Sequence, residues 1–151
     1  MAKASPDHEL NQRELIQLVE TWYRLLDQHA PVTELLPLLH DKDLLMEFPE
    51  GTLRGQGAFS EWLATVVRIF FDEEPHVDQV DVAGADEQGW LLRVTVNWKA
   101  RRWKPPAPRS EWLDFDAYQT WRVQRSARTG RLVIVKYVVD RLVPRAGSVE
   151  L

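Results

Sequence analysis

The stretch Trp90-Leu-Leu-Arg-Val-Thr-Val-Asn-Trp-Lys-Ala-Arg-Arg-Trp103 alternates in character. Trp90, Leu92, Val94, Val96 and Trp98 share one side, while Arg93, Thr95, Asn97, Lys99 and Arg101 share the other. A period of two is the mark of a strand with one face buried, since successive side chains point to opposite faces. Residues 111–125 repeat the pattern. Leu113, Phe115, Ala117, Gln119, Trp121 and Val123 alternate with Trp112, Asp114, Asp116, Tyr118, Thr120 and Arg122. Between the two runs, Lys104–Ser110 carries three prolines, which lack the N–H that a ladder needs. The pair therefore reads as a long antiparallel hairpin. A strand over 76–83 precedes it through the polar connection 84–89. Thr129-Gly130 turns the chain into a last strand over 131–143.

Upstream the period changes. Over 9–29, Leu15, Leu18, Val19, Trp22, Leu25, Leu26 and His29 recur at three- and four-residue steps, which predicts an amphipathic helix. Pro31 stops it, because the residue before a proline is pushed out of helical geometry. A short helix over 33–40 follows, with Thr33 as its cap. Residues 44–48 read as a strand turned by Pro49-Glu50-Gly51 into a hairpin arm. Phe59, Trp62, Leu63, Val66, Ile69 and Phe70 restore helical spacing over 56–71, and Asp72-Glu73-Glu74-Pro75 closes that helix. The order α-α-β-β-α-β-β-β-β predicts an α+β fold, with helices against a curved, mostly antiparallel sheet. Strand twist bends such a sheet around its helices and leaves room for a pocket. A single domain is expected over 9–143, with flexible ends at 1–8 and 144–151.

The chain has 151 residues and no cysteine, which excludes disulfides, thiolate catalysis and Cys-bound zinc. The polar start lacks a signal-peptide core, and no apolar run reaches the roughly 18 residues of a membrane span. A cytoplasmic domain without membrane contact is expected. The net charge of −4 conceals a division. Residues 1–92 hold six basic and eighteen acidic side chains, and 93–151 hold thirteen basic and five acidic. The basic, aromatic stretch 98–109 suits nucleic acid in isolation. It forms one hairpin tip of a protein with an isoelectric point near 5.6, so nucleic acid is disfavoured. No His, Asp or Glu spacing matches a metal site, and there is no phosphate-cradling glycine loop or nucleophile elbow.

The run Asp43-Leu-Leu-Met-Glu-Phe-Pro-Glu-Gly-Thr-Leu-Arg-Gly55 and the helix after it resemble a "strand, Pro, Gly, Arg-Gly, helix" signature. That signature belongs to the SnoaL-like group of the nuclear-transport-factor-2-like superfamily. Thr129-Gly-Arg-Leu-Val-Ile-Val-Lys-Tyr-Val-Val-Asp140 is similar to the group's last strand. The resemblance implies a cone-shaped sheet wrapped around the first helix, an apolar pocket, cofactor-free chemistry and homodimers packed through the outer sheet face. Its relatives include ketosteroid isomerases, scytalone dehydratase, limonene epoxide hydrolase and polyketide cyclases, so the fold does not choose a reaction.

Carried over by position, the carboxylate base of ketosteroid isomerases falls on Phe48, its partner acid on Gln119, and its helix-one tyrosine near Trp22 or Tyr23. Two of the three polar groups for enolisation are thus replaced. The final-strand carboxylate of the epoxide hydrolases falls on Tyr137, with Asp140 three residues on. Asp114 and Asp116 read as a solvated outer face, since the apolar side is the natural inner side.

The seven tryptophans supply rings for a core or a concave site. The expected ligand is a hydrophobic small molecule, with Trp22, Phe48, Trp62, Phe70, Trp98 and Trp121 as walls and Gln119 as a polar contact. For catalysis, Tyr23, Tyr137 and Asp140 are the acid–base candidates, with His29 next. The expected class is a cofactor-independent isomerase, cyclase or dehydratase. The alternative is a non-catalytic homodimeric interaction domain whose pocket is filled by its own side chains.

Overall fold

The computed structural model describes residues 6–150. Residues 1–5 and 151, parts of the two ends expected to be flexible, lie outside the described residues. Helix α1 spans Pro6–Asp27, α2 Val32–Leu35 with a 3₁₀ turn at Leu36–Leu38, and α3 Gly55–Ile69. Strands β1 (Leu45–Phe48), β2 (Gly51–Arg54), β3 (Phe70–Asp86), β4 (Gly89–Arg102), β5 (Glu111–Arg125) and β6 (Leu132–Pro144) complete the chain. They form one mixed sheet in the order β2-β1-β6-β5-β4-β3. Every neighbouring pair is antiparallel except β1 with β6. This is the α+β architecture that the alternating runs predict.

Helix α1 begins at Pro6 rather than at 9, since proline is tolerated in a first turn whose N–H groups have no helical partner. Strand β3 begins at Phe70, so the segment Asp72–Pro75 lies inside a strand rather than closing a helix. The position of β3 explains this. It is the sheet edge, where a proline costs no ladder bond to a second neighbour. The register shifts between Phe71 and Glu74, and this bulge bends the strand.

The inner sheet face buries Leu92, Val94, Val96, Trp121 and Val123 against Leu15, Val19 and Trp22 of α1 and Phe59 of α3. Each large side chain so removed from water contributes about 1.5–3 kcal/mol. A smaller cluster forms at the other end of β4 and β5, around Ala100, Leu113 and Phe115. Past Pro144, Arg145 N–H donates to Asp114 O at 2.8 Å and Val149 N–H to Trp112 O at 3.1 Å. Here β5 extends beyond its pairing with β6 and leaves carbonyls for these residues.

Two glycines hold positions that a side chain resists. Gly55, at φ +84°, opens α3 while its N–H donates to Leu44 O at 2.9 Å. Gly89, at φ +135°, sits so close to the Val123 carbonyl that a Cβ would collide with it.

Candidate functional site

A cavity of about 380 Å³ opens between α3, the later part of α1 and the concave face of the sheet, within the size range of small-molecule sites. The apolar face of α3 supplies one wall through Trp62, Leu63, Val66 and Val67. Four of the six expected ring residues line it: Phe48, Trp62, Phe70 and Trp98. Phe48 stacks on Trp62 with centroids 4.7 Å apart, and Phe70 meets Trp98 edge-on at 5.3 Å. Trp22 and Trp121 do not line it. Both are fully buried behind the wall, with ring centroids 6.5 Å apart. They back the site instead of touching its contents.

The polar groups gather on one wall. Tyr23 reaches in from α1, Gln119 from β5 and Tyr137 from β6, all nearly inaccessible to solvent. Trp121 Nε1–H donates to Gln119 Oε1 at 3.0 Å, which leaves the amide Nε2 to donate to Tyr23 Oη at 2.6 Å. Tyr23 Oη lies 2.8 Å from Tyr137 Oη and 2.9 Å from Gln119 Oε1. Burial pushes the Tyr137 hydroxyl up to about 12, against the opposing hydrogen bond from Tyr23. Burial, then the neighbouring Tyr137, pushes Tyr23 well above the usual tyrosine range. Both phenols therefore stay protonated near neutrality and act as donors, not bases. The Trp22 indole N–H lies close enough to Tyr137 to favour its ionised form. It makes no hydrogen bond of ordinary geometry and is the one buried side-chain polar atom left unpaired among the described residues.

Asp140 and His29 stand outside this arrangement. A register shift pairs Gln119 with Val139 but Tyr118 with Arg141, leaving Asp140 as the bulged residue. Its carboxylate accepts from Thr120 Oγ1 at 2.7 Å on the outer face, while Val139 lines the cavity. His29 follows the end of α1 with φ +50°, which takes its ring off the helix stripe that the spacing suggested. Its Nε2 lies 3.2 Å from Glu73 Oε1. Glu73 does line the cavity, and its side chain is only 6% exposed. Burial raises the Glu73 carboxyl above its ordinary range, while His29 pulls it partly back.

Sequence reasoning missed Glu73, because Asp72-Glu73-Glu74-Pro75 looks like a solvated turn and only the bulge turns one carboxylate inward. Glu47 and Phe48 sort as the alternation requires, with Phe48 on the cavity. Asp114 and Asp116 lie on the outer face, where both accept from Asn97 Nδ2, at 2.8 and 3.3 Å. Arg145 donates to Asp116 and holds its carboxyl below the usual range. Arg102 and Lys104, from the basic stretch, reach the cavity's edge, and Arg102 is tied to Glu111 at 3.1 Å. Among the described residues no three His, Asp or Glu side chains are grouped as a metal ion would need, and no helix is long and apolar enough to cross a membrane.

No family model matches the sequence, and no curated protein matches it. Solved structures do resemble it. A nuclear transport factor 2-like superfamily protein from Salmonella enterica serovar Typhimurium superposes with a TM-score of 0.69 at 14% identity, covering 94% of each chain. A hexachlorocyclohexane dehydrochlorinase (LinA) Type2 gives 0.70 at 12% identity, over 95% of this chain and 97% of that one. A ketosteroid isomerase-like protein from Erwinia carotovora atroseptica gives 0.65 at 13% identity, over 86% and 92%. The chain thus has the α+β, cystatin-like fold of the nuclear transport factor 2-like proteins. At such identities the likeness establishes the fold alone, and the chemistry rests on the cavity.

Proposed function

We propose that the protein binds a largely apolar, ring-bearing small molecule and holds one hydroxyl or carbonyl oxygen of it on Tyr137. The reaction class that follows is cofactor-independent proton transfer, as in an isomerase, cyclase or dehydratase. The observation that carries this reading is the Tyr23–Gln119–Tyr137 cluster set in otherwise apolar walls. With Gln119 donating to Tyr23, the hydroxyl of Tyr23 can donate to Tyr137, and the Tyr137 proton then faces the cavity. A donor fixed in a dry site stabilises negative charge developing on a bound oxygen far better than water does. The open volume supports a ligand site over an interaction module whose interior is self-filled.

The site is tested by titrating the full chain with 4-nitrophenol and with nitrobenzene, followed by tryptophan fluorescence. Saturable quenching by both is expected. Tyr137→Phe weakens 4-nitrophenol by about tenfold, the worth of one net hydrogen bond, and leaves nitrobenzene almost unchanged. No saturable binding, or equal losses for both, overturns the reading. A homodimer packed through the outer sheet face belongs to the same proposal. There Arg141 lies over the Tyr118 ring at 4.6 Å and Arg101 over Trp112 at 5.5 Å, exposed guanidinium groups on half-buried rings, a surface of planar groups suited to a second copy.

A further inference from the structure

We infer that the molecule taken by the cavity is a carboxylic acid, whose carboxylate is held at the mouth by Arg102 and Lys104 while its apolar body runs inward toward Tyr137. This rests on the proposed ligand reading and names the chemical class that the site accepts.

Arg102 is the one cationic side chain that the fold buries among the described residues. It ends β4 and lines the cavity together with Lys104. Its side chain is only 10% exposed, and a guanidinium so placed is costly unless its five N–H groups find partners. Nε and Nη2 donate to Glu111 Oε1 at 3.3 and 3.1 Å, and Nη2 donates to the Glu150 carbonyl at 3.3 Å. Nη1 makes no hydrogen bond among the described residues, yet it is not one of the polar atoms sealed from solvent. Two donors of a buried, fixed cation are therefore left for whatever enters the cavity. Glu111 does not use up the charge, because its side chain is 46% exposed and water screens it.

Lys104 is brought to the same mouth by its loop. Trp103 N–H donates to Ile69 O at 2.9 Å, at the end of α3, and Ala107 N–H donates to Lys104 O at 2.9 Å. The Trp103 indole then closes the loop by donating to Ala107 O at 2.7 Å. The basic, aromatic hairpin tip is thus folded over the opening, where its charge attracts an anion.

The two polar ends of the cavity are far apart. Gln119 pairs with Val94 and Glu111 with Arg102, so the cation stands about 26 Å along β4 from the buried amide at some 3.3 Å per residue, and less across the curved sheet. Between them the lining is apolar, through Val66, Phe70, Val96 and Trp98. A molecule that satisfies both ends has an apolar body, an oxygen at the Tyr137 end and a negative charge at the other. Glu50 and Glu73 also line the cavity, and with Glu111 they repel a second negative charge. A monoanion that pairs side-on with a guanidinium edge fits this balance, and a phosphate monoester, with about −1.5 to −2 charges, does not.

The test uses 11-(dansylamino)undecanoic acid and its methyl ester, two probes alike in ring and chain, with dansyl fluorescence reporting binding to the full chain. Wild-type protein is expected to bind the acid about tenfold more tightly than the ester, the worth of one charge-assisted hydrogen bond. Arg102→Gln brings that ratio close to one, and Lys104→Gln, at an exposed position, lowers it about two- to threefold. Glu111→Gln raises it severalfold, because the guanidinium loses its competing carboxylate, and a damaged fold cannot mimic that gain. In competition, laurate displaces the bound acid at lower concentration than dodecyl phosphate does.

An acid that binds no better than its ester in wild-type protein, or a ratio that Arg102→Gln and Glu111→Gln both leave fixed, overturns the carboxylate site and leaves the apolar pocket standing. Dodecyl phosphate displacing better than laurate overturns the choice of a monoanion. A wild-type chain that binds neither probe overturns the pocket reading, and the carboxylate site falls with it.

Discussion

The hydroxyl of Tyr137, on β6, meets that of Tyr23, on α1, at 2.8 Å, across 114 residues of sequence. Behind Tyr23 stands Gln119, itself oriented by Trp121. Four side chains from three elements thus form one directed chain of donors. A core that needed only apolar filling would not use these groups, since each buried hydroxyl or amide must be satisfied.

The tyrosine pair gives the protein an alkaline limit. Tyr137 is raised from its ordinary 10.0 to about 12, so the folded state holds its proton more tightly than the unfolded chain. The stabilisation is complete below about pH 10 and is lost as pH rises toward 12, amounting to roughly 2–3 kcal/mol by proton linkage. Denaturant unfolding at several pH values checks this, and Tyr137→Phe should flatten the decline.

Glu73 should act in the opposite sense to a salt-bridged carboxylate. Its folded affinity for protons is raised, so its ionisation begins to cost stability once pH climbs above the ordinary carboxyl value of 4.5. Glu73→Gln is therefore expected to melt a few degrees higher than wild type at pH 7 and to match it near pH 4. A variant that melts lower at pH 7 contradicts the desolvated environment.

Replacing Trp121 by Phe removes the N–H that orients Gln119 and leaves a partial void at a fully buried position. A loss of about 2–4 kcal/mol is expected from the lost packing and the unmade hydrogen bond. The affinity for 4-nitrophenol should fall with it. Chemical denaturation and the fluorescence titration report the two effects separately.

At the β3–β4 turn, Gly89→Ala forces a Cβ against the Val123 carbonyl in a conformation that side chains avoid. Destabilisation of about 2 kcal/mol or more is expected. Thermal unfolding measures it, with Gly57→Ala as the permissive control, because nothing lies within 4 Å of a Cβ there.

The outer face makes a prediction about assembly. If a second copy packs there, sedimentation should give twice the chain mass of 17.6 kDa, and Tyr118→Glu should return the chain mass while leaving the fold intact. A monomeric wild type at tens of micromolar refutes that packing.

Periodicity was enough to determine the order of elements and most of the facing. Alternation along 90–103 and 111–125 must bury one side of each strand, so Leu92, Val94, Val96 and Trp121 turn inward whatever the rest of the chain does. Local chemistry does not say where a strand gains a residue. The bulge at Asp140 sends that carboxylate outward, and the bulge before Glu74 brings Glu73 inward. Both outcomes depend on pairing with a neighbour far along the chain. Tertiary structure likewise decided that Trp22 and Trp121 support the site while Phe48, Trp62, Phe70 and Trp98 face its contents. Helix α1 covers only part of the concave sheet, and coverage by a distant segment is not written in the spacing of the residues it covers.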